Sequence, residues 1–182
     1  LVEGGYITRG MAEREFVVGP ALRQLALDTL NHGTVRGLRH EVLADLVRDV
    51  GETCNFTTLD GASVLYLDRV EAPWPWRLTL DVGAHVPLHC TASGKLFLAL
   101  MTPRPRRALM AGLTLTRMTE HTMVTAPALE AEFKLIAQRG YAVDDEEFIT
   151  GLVALAVPVR DTQGAARAAL ADVARRHRPV SA

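Results

Sequence analysis

Apolar positions recur at two different periods along this chain, and one stretch obeys neither. After Pro20, Leu22, Leu25, Ala26 and Leu30 fall on one helical face. Pro20 suits a helix start, where its missing N–H costs little, and Gly33 is the expected stop. A second helix is expected over about Leu38–Val50, with Val42, Leu43, Leu46, Val47 and Val50 as its apolar face and Gly51 at its end. From Glu52 the period changes to two. Thr53–Leu59 and Ser63–Val70 read as strands joined at Asp60-Gly61, a tight-turn pair. Alternation along the second strand sets Val64, Tyr66, Asp68 and Val70 against Ser63, Leu65, Leu67 and Arg69. Arg77–Val82 reads as a third strand, after the rigid loop Pro73-Trp74-Pro75-Trp76.

The stretch outside both periods is Pro87–Met101. Its first half is small and polar; its second half is apolar nearly all round and stops before Pro103. A helix apolar on every face is a buried one. Thr91 is a suitable N-cap, which leaves first-turn amides near Ala92, Ser93 and Gly94 without helical partners. With the helix dipole these amides suit a carboxylate or phosphate. The plain alternative is a capped core helix with water at its end.

Further along, Pro103–Ala111 carries Arg104, Arg106 and Arg107, a cluster that reads as a solvated face. Thr125 can cap a helix over Pro127–Arg139, with Leu129, Phe133 and Ile136 inward and Gly140 as stop. Tyr141-Ala142-Val143 resumes β character and runs into four acids, Asp144 to Glu147; Leu152–Val159 follows as a strand. Ala165–Arg176 is alanine-rich and locally prefers helix, ahead of a basic tail. At the other end, the glycine-flanked, partly β-prone stretches Gly4–Gly10 and Glu15–Gly19 suggest a hairpin turning across Gly10–Glu13. Regular βαβ alternation is absent, so an α+β fold with an antiparallel sheet is expected.

Length, charge and composition narrow the classes. The chain has 182 residues, 48% of them hydrophobic, which supports a real core. A net charge of −1 supplies no global field toward nucleic acid. Two cysteines, Cys54 and Cys90, make no disulfide framework, so a cytoplasmic setting is the default. No apolar run reaches the ~18 residues that span a bilayer. The first residue is not Met, which fits a fragment.

Candidate chemistry is sparse. Cys54, His85, His89 and Cys90 would suit zinc by type but lack its ligand spacing, and no metal or cofactor is expected. Ser93 lies outside any nucleophile elbow; its hydroxyl is better placed as a donor at the helix start. Asp144 follows strand residue Val143 and can point into a pocket, with Lys95 as a counter-charge, while most of the neighbouring acids read as a solvated loop.

In chain order, Glu52-Thr53-Cys54-Asn55-Phe56, Leu59-Asp60-Gly61, Tyr66-Leu67-Asp68-Arg69-Val70, Pro87 to Lys95 and Gly140 to Glu147 together resemble the IclR family of bacterial transcription regulators. The resemblance implies a winged helix-turn-helix, a linker helix and a GAF-like α+β effector domain, in dimers or tetramers. On it, residues 1–18 look like a wing remnant of the DNA-binding domain, 19–33 like the linker helix and 34–182 like the effector-binding domain. It implies a small organic acid as effector, and operator DNA reached only through the missing N-terminal domain. The matching pocket positions are Leu78 and Val86 as walls, Ala92, Ser93 and Gly94 at the helix start, Asp144, and Ala154 on the next strand. Trp76 stands beside this wall. The family's last strand usually carries two serines where this chain has Ala171 and Val173. On that resemblance the Ala165–Arg176 segment is taken as strand up to about Leu170. Two rival readings remain: a dimerisation module with a degenerate pocket, and a small-molecule enzyme using Asp144 or His89 as base.

Overall fold

A computed structural model describes residues 1–9, 16–30, 33–73 and 80–175. The chain divides into two compact units, Leu1–Glu41 and Val42–Ala182. In the first, strands β1 (Ile7–Arg9) and β2 (Phe16–Val18) pair antiparallel, Ile7 opposite Val18. The turn expected at Gly10–Glu13 lies outside the described residues. Helix α1 spans Pro20–Leu30, and helix α2 begins at Gly33, earlier than its apolar pattern indicated, and runs to Val50. Leu22, Leu25 and Ala26, which share one helical face by their spacing, are exposed in this chain.

The second unit is built on a six-stranded antiparallel sheet of order β5-β4-β3-β8-β7-β6. Its strands are β3 (Thr53–Asp60), β4 (Ser63–Val70), β5 (His85–Pro87), β6 (Ala142–Asp145), β7 (Leu152–Arg160) and β8 (Ala166–Arg175). β3 and β4 form a hairpin around Gly61, whose φ of +58° is a conformation that glycine adopts without strain. Helices α3 (Ala92–Leu100), α4 (Pro103–Gly112) and α5 (Ala126–Arg139) complete the unit. α3 and α5 cover one face of the sheet. There Leu96, Leu98, Leu129, Phe133 and Ile136 pack on Val64, Ala142, Ala156, Ala169 and Ala171. On the other face the part of α2 within this unit sets Leu43 and Val47 against Cys54, Ala72 and Phe56. This is α+β, an antiparallel sheet with flanking helices, as the residue pattern implied.

Three local readings are corrected. Ala165–Arg176 is not helical: β8 is a strand that continues past Leu170 to Arg175, hydrogen-bonded on one side to β3 and on the other to β7. Two ladders outweigh the few tenths of a kcal/mol per residue by which alanine prefers helix. The third strand expected at Arg77–Val82 is not found where it is described, at 80–82; the strand pairing with β4 is His85–Pro87 instead. Along β4, strict alternation fails at a bulge opposite Phe56 and Thr57, so that Tyr66 faces Thr57 but Asp68 faces Phe56.

Candidate functional site

α3 begins as its sequence indicates. Thr91 is extended (φ −109°, ψ 149°) and its Oγ1 accepts from the Gly94 amide at 3.2 Å while donating to the Pro87 carbonyl at 2.7 Å. Among the described residues the amides of Ala92 and Ser93 have no partner, and both residues are buried. Gly94 is held elsewhere. A side chain on it would stand 2.3 Å from the Leu88 carbonyl oxygen, so Leu88 backbone, and not a ligand, takes up the space that glycine leaves. Below the helix start, the Thr57 hydroxyl on β3 donates to Ser93 Oγ at 3.0 Å. The same Thr57 hydroxyl lies 3.3 Å from the Ala169 carbonyl, so its one proton serves two acceptors.

Asp144 on β6 stands opposite Ala154 on β7. Its Oδ1 accepts from the amides of Glu147 (2.8 Å) and Phe148 (3.3 Å). Burial pushes its carboxyl up to about 7; those two amides and Lys95 pull the other way, and the Glu147 charge pushes with burial. Lys95, one turn into α3, is 0% exposed, and its Nζ donates to Glu147 Oε1. Burial raises the Glu147 carboxyl and Lys95 opposes it. The loop that carries Glu147 is tied down by Thr122 and Thr119, whose hydroxyls donate to the carbonyls of Glu147 (2.7 Å) and Glu146 (2.6 Å).

These elements enclose a cavity lined by Tyr66, Val86, Ala92, Ser93, Asp144 and Ala154, with Phe148, Leu152, Ala171 and Val173 among the remaining walls. About 30 Å³ is open to the centres of water molecules, room for one or two waters. Five residues picked from separate stretches of sequence, Val86, Ala92, Ser93, Asp144 and Ala154, thus line one space. Gly94 does not line it, and Leu78 and Trp76 lie outside the described residues.

The sequence reading missed Tyr66, Phe148 and Leu152 as lining residues. Only Tyr66 had a signal, its alternation with Val64. Ala171 and Val173, where the family pattern has serines, are both in the wall. It also missed Glu147, placed among the solvated acids, which is buried as the partner of Lys95.

Other candidates fall into structural roles. His89 Nε2 lies 2.8 Å from the Thr116 carbonyl, and His85 pairs with Asp60 at 2.9 Å. Cys54 and Cys90 are free, buried thiols, and burial is the main cause that pushes each up to about 12. Among the described residues no cluster of His, Cys, Asp and Glu could hold a metal, and no helix is long and apolar enough to cross a membrane. Arg106 in the basic run bonds Glu130 at 3.2 Å and lies over the Phe133 ring. Ser93 Oγ meets the Thr57 hydroxyl and, among the described residues, no basic side chain is bonded to it.

An α+β sheet with a helix starting at an enclosed cavity is the architecture of a C-terminal domain of bacterial transcriptional regulators. The sequence profile described as bacterial transcriptional regulator IclR C-terminal matches residues 27–179. The chain belongs to the IclR family. It is 43% identical over 165 residues to "Probable transcriptional regulator SauR" of Cupriavidus necator, a match that takes in 91% of this chain and 66% of that protein. The chain therefore spans less than two thirds of that relative's length. Among solved structures, the Thermotoga maritima IclR superposes with a TM-score of 0.75 at 29% identity, over 96% of this chain and 70% of that one. The inducer-binding domain of the Acinetobacter transcription factor PobR, a double mutant in complex with 3-hydroxybenzoic acid, superposes with a TM-score of 0.71 at 25% identity, over 79% and 85% of the two chains.

Proposed function

We propose that this chain is the ligand-sensing and self-associating part of an IclR-type transcriptional regulator, and that a small organic acid binds in the cavity at the start of α3. Residues 34–182 form the effector-binding domain, 19–33 the linker helix, and 1–18 the wing side of a DNA-binding domain through which operator DNA is reached. The observation that carries the reading is that Ala92 and Ser93, whose buried amides have no partner among the described residues, both line the cavity, a positive helix end in a low-dielectric site. The inducer complex of PobR supports an acid as the ligand class. Asp144 fits the same role, because a carboxyl raised to about 7 is partly protonated at neutral pH and can donate to an anion. Exposed apolar side chains on α1 and the start of α2 (Leu22, Leu25, Val35, Leu38) support self-association into a homodimer or homotetramer. Binding would act on the linker through a difference in affinity between two arrangements of the assembly.

A calorimetric and thermal-shift screen with acetate, propionate, pyruvate, benzoate and 3-hydroxybenzoate tests this. At least one acid should raise the melting temperature, and Ser93→Trp, which fills the cavity, should abolish the effect. No response to any acid would overturn the reading. A second reading, a dimerisation module that binds nothing, draws on the narrowness of the cavity. A stable dimer by light scattering together with a silent screen would favour it.

A further inference from the structure

The bulge in β4 changes which charged residue looks toward the cavity side of the sheet. Strict alternation would place Asp68 beside Val64 and Tyr66 and send Arg69 to the opposite face. One extra residue on β4 reverses this, and Arg69 stands opposite Asn55 while Asp68 stands opposite Phe56. Asn55 in turn stands opposite Ala171 on β8. Arg69, Asn55 and Ala171 therefore form one row across three strands, next to the row of Tyr66, Thr57 and Ala169. Tyr66 and Ala171 are both in the cavity wall.

Arg69 sets the direction of the Asn55 amide. Its Nη1 donates to Asn55 Oδ1 at 2.7 Å, and its Nε meets Glu71 at 3.3 Å, in a side chain only 7% exposed. A guanidinium donates and never accepts, so the atom turned toward it is the amide oxygen. The amide nitrogen is then the end that Arg69 does not hold. Asn55 is 0% exposed and its Nδ2 has no hydrogen-bond partner. Its neighbour on the far side, Ala171, offers only a methyl group. Asn55 is not itself among the residues that line the cavity, but its neighbour across the strand pair, Ala171, is. A buried donor left without an acceptor is costly, and one next to the cavity wall is set for an acceptor that arrives there.

We propose that Asn55, oriented by Arg69, is a specificity-determining donor of the cavity, and that it takes a second oxygen of the bound acid, an oxo or hydroxyl oxygen. The carboxylate is met by the amides of α3 and the second oxygen by Asn55 on the sheet side. Acids with two acceptor ends are then preferred over matched acids with one. This rests on the proposed acid site, and the test separates the two.

Dissociation constants are measured for the pairs pyruvate and propionate, and 3-hydroxybenzoate and benzoate, on the chain and on Asn55→Ala and Ser93→Trp. The chain should bind the oxygen-bearing member of at least one pair fivefold or more tightly. Asn55→Ala should bring that ratio to near one and leave the plain acid within about twofold. The second measurement needs no variant. The sequence holds two asparagines, Asn31 and Asn55, so selective ¹⁵N labelling gives two pairs of side-chain amide signals. One of them should shift on saturation with the preferred acid. A preference that survives Asn55→Ala, or amide signals that stay still at saturation, overturns the inference. If Ser93→Trp still abolishes binding in that case, the acid site stands and only the role of Asn55 falls. If no acid binds the chain, both fall together.

Discussion

Two helices of this domain begin with the same device and differ in what surrounds it. Thr91 caps α3 by accepting from Gly94, and Thr125 caps α5 by accepting from Ala128, at 3.2 and 3.4 Å. Neither first turn carries an acid. At α5 the cap and the first three helical residues are exposed, and Pro127 removes one of the orphan amides. Water serves the rest. At α3 the cap and the first turn are buried, and Thr91, Ala92 and Ser93 line a cavity. The same cap motif is thus a surface ornament in one place and the wall of a candidate binding site in the other. Burial, and not the motif, makes the difference, because the field of a helix end weakens in water.

The comparison is broken most severely through Lys95. Glu147→Gln leaves a buried ammonium without its counter-charge and should cost about 3–5 kcal/mol in urea unfolding. Replacing both partners, Lys95→Met with Glu147→Leu, should recover most of that loss. Glu130→Gln, which removes the half-exposed partner of Arg106 on α5, should cost under about 1 kcal/mol.

Next comes pH. Between about pH 4, the ordinary value for an aspartate, and 7, the folded chain keeps a proton on Asp144 that the unfolded chain has lost. Stability should therefore fall as pH climbs through that window and level above it, with Asp144 contributing a slope of at most about 1.4 kcal/mol per unit. Glu147 and Asp172, also raised by burial, act in the same direction. Asp144→Asn isolates the contribution of Asp144: the variant's unfolding free energy should vary less steeply over the same range.

Smaller effects sharpen the contrast. Gly94→Ala drives a methyl into Leu88 backbone and should cost about 1–3 kcal/mol. Ala128→Ser, at the same position of α5, should stay within about 0.5 kcal/mol. Removing the caps gives the mildest test. Thr91→Ala, which also loses the bond to Pro87, should cost about 1–2 kcal/mol, and Thr125→Ala about 0.5–1. Equal losses at the two caps would sink the claim that burial separates these helix starts.

What could be read ahead of the fold was whatever depends on near neighbours. Thr91, Thr125, Gly61 and Gly140 mark their caps, turn and stop because each acts on residues within four positions. The order of motifs identified the family for the same reason, since it is a property of the string. The C-terminal segment shows where such reading fails. Its alanines favour helix one residue at a time, yet Ala168 to Ala171 are held as strand by β3 and β7, which lie far away in sequence. Lys95 and Glu147, 52 positions apart, look like two surface charges until the sheet brings them together.

Local sterics and hydrogen bonding therefore determined the caps, the turns and the nearby period of apolar residues, and the residue string alone carried these. The face on which Arg69 and Asn55 stand, the burial of Lys95 and the enclosure of Ala92, Ser93 and Asp144 were decided only by strand register and packing. One bulge residue turns side chains to the other side of a sheet, and burial depends on every element that arrives to cover a site. Neither is a property of any short stretch of chain.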